Sequence, residues 1–187
     1  GTANIVNFCI AKKVNKLCHV SSIAALGELG ENETVITEES LWNPQGLLSD
    51  YRITKYGAEM EVWRAQQEGV PVVVVNPGII LGPYPDNWDK RQGSGALFYN
   101  VKKGMPFYTE GSTGYVAVVD LVKIMFQLME SPLQGERYIV VAENISYKDI
   151  IYKVANKLGA KKPKYKAQYA LLKIAWRLDW LSSKLFF

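Results

Sequence analysis

The sequence is short of the residues that staple or metallate a small fold. Its 187 residues hold two cysteines and one histidine. Cys9 and Cys18 sit in apolar surroundings, Asn-Phe-Cys-Ile and Lys-Leu-Cys-His-Val, which predicts buried free thiols of a reduced compartment rather than a disulfide framework. Neither has a helix N-terminus or a His/Asp arrangement beside it, so no nucleophilic thiol is expected. His19 with two scattered Cys offers no zinc-ligand spacing, and no metal site is expected. No apolar run approaches the roughly 18 residues of a membrane span, and no signal peptide is expected at Gly1-Thr2-Ala3-Asn4. Acids are scarce at one end only. Residues 150–187 carry nine Lys/Arg against Asp179 alone, so of the net +4 this tail holds +8 and residues 1–149 hold −4.

What is present describes a globular α/β chain. Hydrophobic content of 48% and charged content of 21% are ordinary. Ile5, Val6, Cys9, Ile10 and Val14 recur at helical spacing and predict a helix over 2–14. Leu17 to Ser22 predicts a short parallel strand ending in two hydroxyls, and the acid-rich stretch 27–44 a long loop. Ser49 or Asp50 caps a helix that runs to about Glu68 and stops at Gly69. The β-branched run 71–76, closed by Pro77, predicts a central strand. Further on, helices are expected at 96–103, 118–130, 146–158 and 167–186, and strands at 106–109 and 138–141. Such alternation builds a parallel sheet with crossover helices.

Chemistry enters with Tyr51-x-x-x-Lys55. Residues i and i+4 share a helix face, and an ammonium beside a phenol favours the phenolate, which suits proton transfer. With eleven tyrosines in the chain the pattern should arise about once by chance, and it occurs three times: Tyr51/Lys55, Tyr99/Lys103 and Tyr169/Lys173. Context separates them. Tyr51 lies on the helix between Ser21-Ser22 and Asn76-Pro77-Gly78, each at the carboxyl end of a predicted strand, where open parallel sheets bind ligands. The other two pairs read as surface or packing residues.

Val20-Ser21-Ser22-Ile23-Ala24-Ala25-Leu26-Gly27, Tyr51-x-x-x-Lys55, Asn76-Pro77-Gly78-Ile79-Ile80-Leu81-Gly82-Pro83 and Tyr115-Val116-Ala117-Val118-Val119-Asp120 together resemble the extended short-chain dehydrogenase/reductases. These include the NAD-dependent epimerase/dehydratase and dihydroflavonol-reductase-like enzymes. The resemblance implies Tyr51 as acid/base, Lys55 as the cation that favours its phenolate and holds the nicotinamide ribose, and Ser22 (or Ser21) on the substrate oxygen. It also implies Asn76, Pro77, Gly78, Ile79 and Ile80 against the nicotinamide. NAD or NADP would be the cofactor, and a hydroxyl or ketone of a sugar nucleotide, sterol-like or flavonoid-like molecule the substrate. A homodimer and a cytoplasmic setting are expected with it. In this family a glycine-rich turn holds the pyrophosphate, and no such turn occurs in these 187 residues. The chain therefore reads as an N-terminally truncated member, inactive by itself.

Residues 1–82 are expected to form the C-terminal half of the dinucleotide-binding domain, a Rossmann-type sheet lacking its first strands. Residues 83–187 are expected to form mainly a smaller α/β substrate domain, with 118–142 returning to the first. Trp88 and Arg91 are candidate substrate contacts in the loop 84–95. A non-catalytic NAD(P)-binding regulator of the same fold is the alternative. The basic tail, Lys161 to Lys166 and the helix expected after it, could meet a membrane surface. No nucleic-acid motif accompanies it.

Overall fold

The computed structural model describes residues 1–27, 34–43, 49–83 and 93–167. The chain divides into two compact units, Gly1–Gly82 with Gly114–Glu143, and Pro83–Thr113 with Asn144–Phe187.

The first unit is built on three parallel strands in the order β1 (Leu17–Val20), β2 (Val72–Pro77), β6 (Glu136–Val140). Leu17 pairs with Val72 and Val20 with Val75, while Val73 pairs with Glu136 and Pro77 with Val140. Four consecutive valines in β2 are fully buried because the sheet is covered on both faces. Val72 and Val74 face helices α1 (Thr2–Lys12) and α2 (Asp50–Gln67), packing with Val6, Cys9, Val62 and Ala65. Val73 and Val75 face the other way, onto Leu121 and Leu128 of α4 (Val118–Glu130) with Val116 and Val140. Alternation along one strand thus feeds two cores, each valine contributing about 1.5–3 kcal/mol on burial. Cys9 is buried, but Cys18 is only half-buried, on the α4 face; both are free thiols.

Helix ends follow local chemistry. Ser49 Oγ accepts the Arg52 N–H at 3.4 Å to start α2, and Gly69, at φ 92°, takes the left-handed turn beyond its end. Lys16 reaches the far end of α4, its Nζ donating to the Leu128 and Ser131 carbonyls at 2.6 and 2.8 Å. Those carbonyls have no partner within the helix, and the ammonium suits the negative end of its dipole.

Strand β3 (Ile79–Leu81) continues almost directly from β2 and pairs in parallel with β5 (Ser112–Ala117), Ile79 opposite Tyr115. Gly78 between them lies so close to Gly114 that an added methyl would overlap the Gly114 carbonyl. Neither β3 nor β5 was expected from the sequence; for β3, three residues between two glycines and a proline are too few for a period-2 signal. Strand β1 also ends two residues short of the expected Ser22, although the Ser21 N–H still donates to the Val75 carbonyl at 2.8 Å.

In the second unit, α3 (Gly95–Lys102) packs against α5 (Tyr147–Leu158). Ser146 Oγ caps α5 by accepting the Asp149 N–H at 3.0 Å, and Gly159 closes it in the left-handed conformation at φ 61°. Two short strands, β4 (Phe107–Tyr108) and β8 (Tyr165–Lys166), pair in parallel. Strand β7 (Glu143–Ser146) leads into α5. The helix expected over 167–186 lies outside the described residues.

Two glycines should respond in opposite directions. Gly78→Ala forces backbone apart and is expected to cost about 2 kcal/mol or more. Gly57, inside α2 with open space around its Cβ position, should gain about 0.5–1 kcal/mol on change to Ala. Urea midpoints of the two variants measure both shifts; equal shifts would contradict the close approach at Gly78.

Candidate active site

Helix α2 carries three polar side chains spaced four apart, and they descend from solvent into the core. Tyr51, in the first turn, is 56% exposed. Lys55 is half-buried. Glu59 is fully buried. A carboxylate there must be paired to be tolerated. Its Oε2 accepts the Asn76 amide at 2.9 Å, and its Oε1 accepts the Trp63 indole N–H and an Arg137 guanidinium N–H, both at 3.3 Å. Arg137 also donates to the Glu38 and Ser40 carbonyls, at 2.5 and 3.3 Å. Glu59 thereby ties α2 to β2 and β6 at once.

The same Asn76 amide reaches the end of β1, donating to the Ser22 carbonyl at 3.0 Å. Ser22 caps a 3-10 turn (Ile23–Ala25), its Oγ accepting the Ala24 N–H at 3.1 Å. An oxygen that accepts there keeps its own O–H to donate elsewhere. Ser21, by contrast, is buried on the α2 side of the sheet, and its Oγ makes no hydrogen bond among the described residues. Pro77 follows at the end of β2. The Gly78 N–H is taken by the Val140 carbonyl at 3.2 Å, and Ile79 and Ile80 are paired with Tyr115 and Val116.

The structure therefore joins Ser22, Asn76 and the Lys55-bearing helix through Glu59. It shows no hydrogen bond among the Ser22, Tyr51 and Lys55 side chains in the described residues. Trp88 and Arg91 lie outside those residues, as does the Tyr169/Lys173 pair. Tyr99 and Lys103 sit at the end of α3, where the Lys103 ammonium lies 5.7 Å from the Tyr99 ring centroid. Glu59 and Arg137 were missed in the sequence. A charged residue two turns past Tyr51, on a stripe that continues to Val62, was the available signal for the first; a lone Arg in a strand gives none.

His19 also joins the site from below. It lies in β1 with Nε2 buried and unpartnered among the described residues. Burial, reinforced by the Lys55 ammonium and opposed by Glu59, lowers its pKa from the ordinary value of 6.5.

The family model described as "Male sterility protein", an NAD-binding domain, matches residues 1–126. The chain belongs to this NAD-binding family. It is an extended short-chain dehydrogenase/reductase. A Synechocystis sp. protein provisionally named dihydroflavonol 4-reductase is 30% identical over 171 residues, covering 88% of this chain and 48% of the relative. Cinnamoyl-CoA reductase 1 of Petunia hybrida is 26% identical over 170 residues, covering 87% and 50%. A nucleoside-diphosphate-sugar epimerase of Pseudomonas aeruginosa has the same fold, with a TM-score of 0.81 at 21% identity over 94% of this chain and 57% of the other. The chain spans about half the length of the curated relatives it matches.

The residues present fit one end of a nicotinamide cofactor. At the carboxyl edge of the sheet the structure offers an exposed phenol, an ammonium behind it, and two buried oxygens without partners among the described residues, Ser21 Oγ and Asn76 Oδ1. For the pyrophosphate end the 187 residues hold no glycine-rich turn.

Glu59→Ala should cost about 3–5 kcal/mol, because Arg137, with 20% of its side chain exposed, loses its counter-charge. A chemical-denaturation loss under about 1 kcal/mol would mean the carboxylate is not the tie described. His19 predicts a pH slope. Its folded pKa is depressed, so the unfolded chain takes up the proton first and stability falls as pH drops through 6.5. The loss in urea midpoint between about pH 7.5 and about pH 5.5 should be smaller in His19→Gln than in the parent.

Proposed function

We propose that the full protein is an NAD(P)-dependent oxidoreductase or epimerase acting on a hydroxyl or ketone of a small molecule, with Tyr51 as its acid/base. The observation that carries this reading is the Glu59–Asn76–Ser22 chain of contacts, which ties the Tyr51/Lys55 helix to the strand end bearing Ser22. The bound nicotinamide would supply or accept the hydride. Ser22 donates its hydroxyl hydrogen to the substrate oxygen and stabilises charge developing on it. Tyr51 passes its phenolic proton to that oxygen in reduction, or takes one in oxidation. The Lys55 ammonium, one helical turn behind, stabilises the phenolate as it forms and holds the ribose hydroxyls. Asn76 keeps the Ser22 backbone and α2 in register.

Family membership and the names of the relatives support a small-molecule substrate of the sugar-nucleotide, sterol-like or flavonoid-like kind. The second unit would carry much of the selectivity.

Tyr51→Phe in the full-length protein tests the mechanism. Turnover should fall by about 10²–10⁴-fold, while NAD(P) affinity and thermal midpoint stay near the parent's, since the ring is more than half exposed. Lys55→Met should instead weaken cofactor binding. Undiminished turnover in Tyr51→Phe would rule the mechanism out. Cofactor binding without turnover in the parent would favour a non-catalytic regulator.

A further inference from the structure

The second unit carries a surface whose residues have no named part in the proposed chemistry. Strands β4 and β8 form a two-stranded ribbon in which Phe107 is opposite Tyr165 and Tyr108 is opposite Lys166. Cross-strand partners share a face, so the ribbon has two distinct sides. One is anchored: Tyr108 meets Tyr152 of α5 edge-on at 6.2 Å, and the Lys148 ammonium lies 5.3 Å from the Tyr108 ring centroid and 5.6 Å from that of Tyr152. The other side is exposed among the described residues. Phe107 is 47% exposed and Tyr165 is 61% exposed, with ring centroids 6.0 Å apart.

Lysine outnumbers acid around this aromatic pair. Lys161, Lys162, Lys164 and Lys166 are all exposed on the segment that forms β8. Described residues 93–113 and 144–167 hold nine lysines and two acids. Asp149 is engaged by Ser146 Oγ at 2.6 Å, and Glu110 pairs with Lys166 at 2.6 Å. Lys162 rests over Tyr152 at 5.5 Å, so its only partner among the described residues is a ring.

No described helix is long and apolar enough to cross a membrane. Paired exposed aromatics on a lysine-rich ribbon match a bilayer surface instead: ammonium groups meet phosphates while the rings enter the interface. A single-stranded nucleic acid would need open ring faces, whereas Phe107 and Tyr165 are tilted against each other at 46°.

We propose that the β4–β8 ribbon is a contact for anionic phospholipid membranes, with Phe107 and Tyr165 as interfacial anchors and Lys161 and Lys164 as headgroup ligands. This places the contact on the ribbon itself and does not depend on the proposed catalytic chemistry.

Co-sedimentation of the full-length protein with vesicles tests it. Vesicles of phosphatidylcholine with about 30% phosphatidylserine should bind the protein at least tenfold better than pure phosphatidylcholine, and added salt should release it. Each lysine near an anionic surface is worth about fivefold in partition, so Lys161→Gln with Lys164→Gln should lower it about 25-fold. Phe107→Ser with Tyr165→Ser should lower it as well, at exposed positions where an unchanged circular dichroism spectrum confirms folding. Failure to bind the anionic vesicles, equal binding by the lysine double variant, or tighter capture of a single-stranded oligonucleotide than of these vesicles would overturn the proposal.

Discussion

A buried carboxylate governs the first unit. Glu59 is fully buried, so its position is tolerable only while Asn76, Arg137 and Trp63 surround it. Those three partners come from β2, β6 and α2 itself. A helix could slide along a purely apolar face by one residue at modest cost, because methyl groups have no directional preference. The carboxylate removes that freedom. Tyr51 and Lys55 inherit their location from it, since a rigid helix fixes the first turn once the third is pinned.

The sheet supplies the second constraint. Each valine of β2 belongs to one of two cores according to parity along the strand, so a register slip would exchange the α1/α2 face for the α4 face. Asn76 has the parity of Val72 and Val74 and so emerges beneath α2, where Glu59 waits. Ser22 meets this amide through its backbone carbonyl rather than its hydroxyl. That leaves the hydroxyl oriented by the 3-10 turn and open to another partner.

Much of this was legible in the residues. Helices α2 and α5 follow from their capping serines and α4 from its apolar spacing, and α4 begins and ends at the residues expected. The two-sided β2 follows from its β-branched run. Strand β3 did not, because three residues carry no usable period, and β6 begins two residues earlier than its apolar stretch because Glu136 and Arg137 are polar members of a strand. The candidate site was legible where a motif names individual side chains: Ser22, Tyr51, Lys55. It was illegible where side chains hold other side chains. A buried Glu looks like a solvated one until a strand distant in sequence brings Arg137 against it.

Asn76 has a consequence for how the protein ages. Both hydrogens of its amide are engaged, one on Ser22 and one on Glu59, and conversion to Asp would remove both donors and set a second carboxylate against the first. Asparagine deamidates when the next backbone nitrogen closes a succinimide ring on its side chain. The next residue is Pro77, whose nitrogen carries no hydrogen, so that ring cannot form. The side chain on which the helix and strand ends both depend is thereby shielded from the commonest spontaneous route of asparagine decay.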